Sequence, residues 1–315
     1  MANPVSRRAM GCAANCSRLF LTLLVTLTVF SLTGLYVMDA LATESGGGAY
    51  PNGAEDFMSG AVPPPGFYLL NYFTYYTADK FKIKNGPDIP NFDLDVVADT
   101  LRFLYVSKQQ ILGGFWGMHV FVPFANVDVT LPVGSQSKFG IGDIIVDPFI
   151  LSWHTKNWHF VTAIDVFMPT GSYDMNRIAN VGRNYWTFEP IVGFTFLSDG
   201  GFEVSSKIMY DFNTKNQDTA YLSGQEFHFD YTVGYKIKNW SLGLGGYYYK
   251  QVTNDKVNGQ KVPIGDGFKG QVFALGPQVK YDYKNMSFIL KYQIEMAVEN
   301  KPEGDKFWFK FVYAF

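Results

Sequence analysis

The last ten residues constrain what this chain can fold into more than any other stretch. Phe307, Phe309, Phe311, Tyr313 and Phe315 occupy every second position, with Trp308, Lys310, Val312 and Ala314 between them. A period of two is the side-chain period of a β-strand, so these aromatics share one face. A soluble sheet buries its apolar face and has no reason to stop on a bare aromatic. An outer-membrane barrel does. Its last strand must pair with its first to leave no open edge, and its outward face meets lipid and the interfacial aromatic girdle. An aromatic edge strand of a soluble sandwich would show the same residues, so the rest of the chain decides.

From Phe67 onward the sequence reads as twelve strands, approximately 67–78, 92–106, 115–128, 139–153, 158–168, 184–197, 202–213, 225–237, 240–251, 268–283, 286–297 and 306–315. Each is close to the ten or so residues with which a tilted strand crosses a bilayer. The alternation is sharpest in the eighth. There Phe227, Phe229, Tyr231, Val233, Tyr235 and Ile237 oppose Glu226, His228, Asp230, Thr232, Gly234 and Lys236. Strands one to three are less regular, and Pro123 predicts a bulge or bend in the third. Connections alternate in length as well. Short turns at 155–157, 198–201, 238–239 and 284–285 alternate with polar loops at 79–91, 129–138, 169–183, 214–224, 252–267 and 298–305. Short periplasmic turns opposite long external loops are the plan of an outer-membrane barrel, and an even strand number leaves both termini on the periplasmic side. A soluble sandwich would not keep loop length in step with strand parity. Residues 67–315 are therefore expected to form an all-β, transmembrane, antiparallel up-and-down barrel of about twelve strands.

The residues before the barrel divide in two. Leu19 to Met38 is an apolar run behind Arg7, Arg8 and Arg18, and it ends in Ala40-Leu41-Ala42. That pattern predicts a cleaved secretory signal peptide over 1–42, against the alternative of a retained anchor. Met10 offers a second start for it. Cys12 and Cys16 are the only cysteines. Cleavage would leave no disulfide and no thiolate ligand. Residues 43–66 are rich in Gly and end in Pro63-Pro64-Pro65-Gly66, an extended stretch that cannot join a central strand. It is either a periplasmic tail or a plug folded into the barrel mouth. As a plug it would present Tyr50, Phe57, Met58 and Val62 to the lumen.

Alternation places Asp143, Asp147, Asp165, Glu189, Glu203, Lys207, Asp211, His228, Asp230, Lys236, Lys280, Lys291 and Glu295 on the lumenal side. Two readings are open: a polar permeation path with a mixed-charge constriction, or a network of ion pairs filling a narrow barrel. His154 and His159 flank a turn and are read as surface residues, since two imidazoles without carboxylates make a weak metal site. No metal or cofactor is expected. Gly140-Ile141-Gly142-Asp143 lacks the lysine and the strand-to-helix setting of a phosphate loop, and its glycines are read as allowing a bend. No G-x-S-x-G motif is present and His228 has no obvious serine partner, so an enzyme such as an interfacial lipase is the weaker reading. A net charge of -2 argues against a nucleic-acid partner.

Several motifs carry a family resemblance. They are Gly140-Ile141-Gly142-Asp143 with Asp147-Pro148; Pro169-Thr170-Gly171-Ser172-Tyr173-Asp174; Asn180-Val181-Gly182; Asn184-Tyr185-Trp186-Thr187-Phe188-Glu189-Pro190; and Tyr50-Pro51-Asn52-Gly53 with the Pro63–Gly66 run. Together they resemble the outer-membrane proteins named for the meta-pathway of phenol degradation, over essentially all of residues 43–315. The resemblance implies a barrel that admits small hydrophobic, including aromatic, compounds to a catabolic pathway; a monomer in the outer membrane of a Gram-negative bacterium is expected. It supplies no catalytic residues. A structural or adhesin-like barrel without transport is the alternative. The expected partners are outer-membrane lipid, the solute, and the barrel-assembly machinery, whose carboxyl-terminal signal Phe311, Tyr313 and Phe315 resemble.

Overall fold

The computed structural model describes residues 47–315; the signal peptide expected at 1–42 and the start of the 43–66 segment lie outside the described residues. The strands are β1 (Gly66–Lys82), β2 (Asp93–Ile111), β3 (Gly114–Leu131), β4 (Gly134–Ile141), β5 (Ile145–His154), β6 (Trp158–Phe167), β7 (Thr187–Leu197) and β8 (Phe202–Asn213). They continue with β9 (Tyr221–Leu222), β10 (Glu226–Ile237), β11 (Trp240–Gln251), β12 (Lys256–Val257), β13 (Gln260–Lys261), β14 (Gln271–Tyr283), β15 (Met286–Glu299) and β16 (Lys301–Ala314). β4 and β5 are two halves of one stave, both paired with β3. The other long strands pair antiparallel in sequence order, and β1 joins β16, so the sheet closes as a twelve-stave barrel.

Closure explains the carboxyl terminus. Leu69 lies opposite Tyr313, Phe73 opposite Phe309 and Tyr75 opposite Phe307, and the Phe315 amide donates to the Phe67 carbonyl at 3.1 Å. Every second residue of β16 points outward, so the aromatic row of Phe307–Phe315 faces away from the lumen while Lys306, Trp308 and Lys310 face in. β10 and β15 obey the same rule.

Two expected features are overturned. The fourth stave is not continuous: Gly142, Asp143 and Ile144 interrupt it between β4 and β5. The loops predicted at 129–138 and 298–305 shrink to Pro132-Val133 and to Asn300: β3–β4 runs on as a paired hairpin, whereas beyond Ile294 and Asp305 the ends of β15 and β16 pair with β14 and β1 instead of with each other. Antiparallel pairing satisfies the backbone there without help from lipid or loop. Pro123 leaves β3 unbroken, while Pro148 marks the irregular register of β5 against both of its neighbours.

The interruption is held from outside β4–β5. Asp143 accepts hydrogen bonds from the Gly171 and Arg183 amides, at 2.8 Å each. Gly142, Gly171 and Gly182 meet backbone to backbone: a Cβ on Gly182 would stand 2.5 Å from the Gly171 carbonyl carbon. Only glycine permits that approach. Three of the motifs that carry the family resemblance, Gly140–Asp143, Pro169–Asp174 and Asn180–Gly182, thus converge on one knot, which fastens the 168–186 loop to the gap in the wall.

Candidate functional site

The lumen has two unlike walls. On the side of β1 to β5, inward positions are largely apolar, among them Leu70, Val96, Leu104, Phe121, Val127 and Ile150. On the side of β7 to β16 they are polar and charged, and residues 47–65 lie against them. This inner segment has no regular secondary structure, so each of its buried amides and carbonyls needs a partner. The polar wall supplies them. Asp230 accepts from the Tyr50 hydroxyl (2.7 Å) and from the amides of Gly53 (2.8 Å) and Glu55 (2.9 Å). The Lys291 ammonium, with three protons to give, donates to the carbonyls of Gly53, Ala54 and Glu55 at 2.7, 2.8 and 2.9 Å. Further along, the Met58 amide donates to Glu203 (2.6 Å) and the Gly60 amide to Thr195 (3.0 Å). A Cβ on Gly60 would stand 1.9 Å from the Phe194 carbonyl carbon, so the segment presses directly on the β7 backbone.

Lys310 pairs with Glu55 and Asp56, each at 3.1 Å, and Arg102 approaches Glu55 at 3.5 Å. Burial by itself would push the Glu55 carboxyl up, but the charges of Lys310, Lys207 and Arg102 outweigh it and hold the group below its ordinary range. Of the segment's apolar residues, Tyr50, Phe57 and Val62 are buried and Met58 is half-buried.

The predicted lumenal ionisable residues separate into six settings. Asp230, Glu203 and Lys291 hold the inner segment, as above. Asp165 meets His119 at 2.7 Å and Lys207 at 3.8 Å, while Asp147 accepts from the amides of Phe149 and Ile164, at 2.7 Å each, beside the β5 irregularity. Glu295 takes the Tyr76 and Tyr247 hydroxyls and the Gly304 amide, with Lys306 at 3.5 Å. Glu189, Asp211 and His228 face one another. Asp143 belongs to the knot, and Lys236 and Lys280 share Asp282 at 3.6 and 3.2 Å. Lys236 is exposed.

Four contributors escaped the sequence reading: Arg102, His119, Lys306 and Lys310. The two lysines were legible as the positions opposite the β16 aromatics. His154 is exposed and His159 half-buried. In phase with Ser152, they turn inward and line the mouth of a cavity, with their Nδ1 atoms 2.9 Å apart. Ser152 lies 3.2 Å from His154 Nε2, yet it donates to the Phe160 carbonyl, accepts from the Val62 amide and is fully buried. A hydroxyl so engaged is no nucleophile.

Three cavities follow the apolar wall. The largest, of 890 Å³, opens among Leu70, Leu104, Ile150, Val312, Met58 and Pro63–Pro65. One of 310 Å³ lies toward the long loops, among Val96, Val127, Val129 and Phe92. One of 170 Å³, between Tyr72, Phe121 and Tyr50, shares Thr74 and Ala98 with the second and Glu55 with the first.

A closed, even-staved antiparallel barrel with an aromatic outer face and a partly filled lumen is a β-barrel of the outer-membrane class. The chain belongs to the family described as "Putative MetA-pathway of phenol degradation", whose model matches residues 78–311. Among solved structures it is similar to the COG4313 outer membrane channel from Pseudomonas putida F1, at 17% identity and a TM-score of 0.72, over 82% of this chain and 98% of that one. More distant are the β domain of the Bordetella autotransporter BrkA (11% identity, TM-score 0.49, 80% and 100% covered) and the CymD monoaromatic hydrocarbon channel (9%, 0.43, 80% and 89%). No curated protein matches the chain.

Proposed function

We propose that the protein is a non-enzymatic channel that admits small apolar solutes, aromatic ones among them, across the outer membrane of a Gram-negative bacterium and toward a catabolic pathway. One observation carries this reading: the inner segment covers the charged wall and leaves the cavities on the apolar wall. An apolar solute cannot afford to desolvate a ring of charges. Here Asp230, Glu203 and Lys291 are occupied by the segment's own backbone, and Leu70, Leu104, Ile150, Val96 and Val127 give the cavities an apolar side, while Arg102, Lys207, Lys280 and Lys310 also line the largest of the three. The Glu55–Arg102 pair stands where the larger cavity meets the smaller ones and forms the barrier to ions. The family's name agrees with an aromatic cargo. The outward aromatics of β16 meet lipid and serve as the assembly signal.

Vesicles with a lipopolysaccharide outer leaflet, which slows apolar solutes, supply the test. The barrel should speed uptake of an alkylphenol while conducting few ions, and deletion of residues 43–62 should raise ion conductance in planar bilayers. Uptake no faster than in protein-free vesicles would leave a structural barrel without transport. Unchanged conductance in the deletion would reduce the segment to a tail.

A further inference from the structure

We propose that Glu189, Asp211 and His228 bind one divalent transition-metal ion of the zinc class within the lumen wall. The three residues come from β7, β8 and β10, successive staves of the barrel. All three are 0% exposed. Among the described residues, none of the six polar side-chain atoms, Glu189 Oε1 and Oε2, Asp211 Oδ1 and Oδ2, and His228 Nδ1 and Nε2, makes a well-aligned hydrogen bond, and Asp211 is turned to the carboxyls of Glu189 and Glu226. Elsewhere in this lumen buried carboxylates are met by donors, as Asp230 and Asp147 are, so this cluster departs from the rule of its own surroundings. Leaving such groups unpaired in a dry site is costly, and a cation between them removes the cost.

The spacing fits an ion. Ligands about 2.0–2.2 Å from a tetrahedral centre stand about 3.4 Å from one another. His228 Nε2 is 3.3 Å from Asp211 Oδ1 and 3.5 Å from Glu189 Oε2, and the three candidate ligand atoms all lie within 4.8 Å of one another. One imidazole nitrogen with two carboxylates suits zinc, cobalt or manganese; two negative ligands and a neutral imidazole balance a dication, and Glu226, buried opposite Asp211, adds a further carboxylate beside the site. The fourth position is left for water.

The neighbouring triad of His119, Asp147 and Asp165 has the same residue types and the same burial, and shows the contrast. Its His119 is bonded through both nitrogens, to Asp165 at 2.7 Å and Arg102 at 2.9 Å, and Asp147 takes two backbone amides. That triad is complete without an ion. Lys207, whose charge reaches Glu189 and His228, is turned to the Tyr50 ring (4.7 Å) and to Asp165. The Tyr50 ring lies 5.2 Å from that of His228, so the inner segment roofs the site.

The inference stands on these contacts and not on transport. The test uses full-length mature barrel carrying His154→Ala and His159→Ala, which removes the exposed imidazole pair, stripped of metal by chelator during refolding. Cobalt(II) should bind at one equivalent, with visible absorption bands that zinc(II) abolishes by displacement. His228→Gln and Glu189→Gln should each weaken cobalt binding at least about a hundredfold, beyond what loss of an outer-shell partner costs. A heat-modifiable electrophoretic shift verifies that each barrel is folded. No stoichiometric binding by the folded parent at millimolar cobalt would overturn the proposal and leave a pair of carboxyls sharing protons with the histidine. So would binding indifferent to both substitutions.

Discussion

Asp230→Ala tests how the inner segment is held. The carboxylate accepts three hydrogen bonds from that segment, at 2.7, 2.8 and 2.9 Å, and is 1% exposed. A hydrogen bond to a charged group contributes about 1.5–3 kcal/mol net, which bounds the loss at about 4–9 kcal/mol. Three donors sharing one carboxylate, and water filling the vacated space, bring the expected cost to about 3–4 kcal/mol. At 1.4 kcal/mol per tenfold, the undocked population rises by two to three orders of magnitude. Its readout is a cysteine at Ala54, which is 6% exposed, since the only native cysteines are Cys12 and Cys16. When docking is fast relative to labelling, the maleimide rate at Ala54→Cys reports the undocked fraction. Asp230→Ala should raise that rate by about the same two to three orders of magnitude. Lys291→Met, which removes three donors to the segment's carbonyls, should act alike. A labelling rate unchanged by Asp230→Ala, in a barrel that still migrates as folded, would refute the docking role.

Tyr231 faces outward near the middle of β10, so Tyr231→Arg should cost about 2–4 kcal/mol in urea unfolding from lipid vesicles, and no cost would show the face to be misassigned. Thr232, inward but 1% exposed beneath Gln278, has no room for arginine, so Thr232→Arg should destabilise the barrel too, whereas alternation alone would predict tolerance. Gly182→Ala drives a Cβ into the Gly171 backbone and should lower the heat-modification temperature by the equivalent of about 1–3 kcal/mol, and an unchanged temperature would show that the knot yields freely. Replacing Tyr313 and Phe315 with serine should lower the yield of assembled barrel in cells, and a normal yield would remove them from recognition.

The sequence by itself determined the wall. Side-chain alternation has a period of two whatever the neighbours, so the outward row from Phe307 to Phe315 and the opposed faces of β8, β10 and β15 were legible residue by residue. Strand number followed from the same pattern, and β8 and β11 begin and end at the expected residues, 202–213 and 240–251. What alternation cannot say is how far a hairpin continues once it is clear of the bilayer, and the loops expected at 129–138 and 298–305 failed on that point. Nor can it say what an inward residue meets. Asp230 and Asp147 carry the same pattern and the same charge, yet one holds Gly53 and Glu55 from the far end of the chain while the other satisfies amides at an irregularity of its own strand. Those partners are separated by up to 177 positions in one case and as few as two in the other. Only closure of the barrel, which sets the stagger between staves and hence the height of each inward side chain, brings Glu189, Asp211 and His228 level and leaves Leu70, Leu104 and Ile150 facing open space.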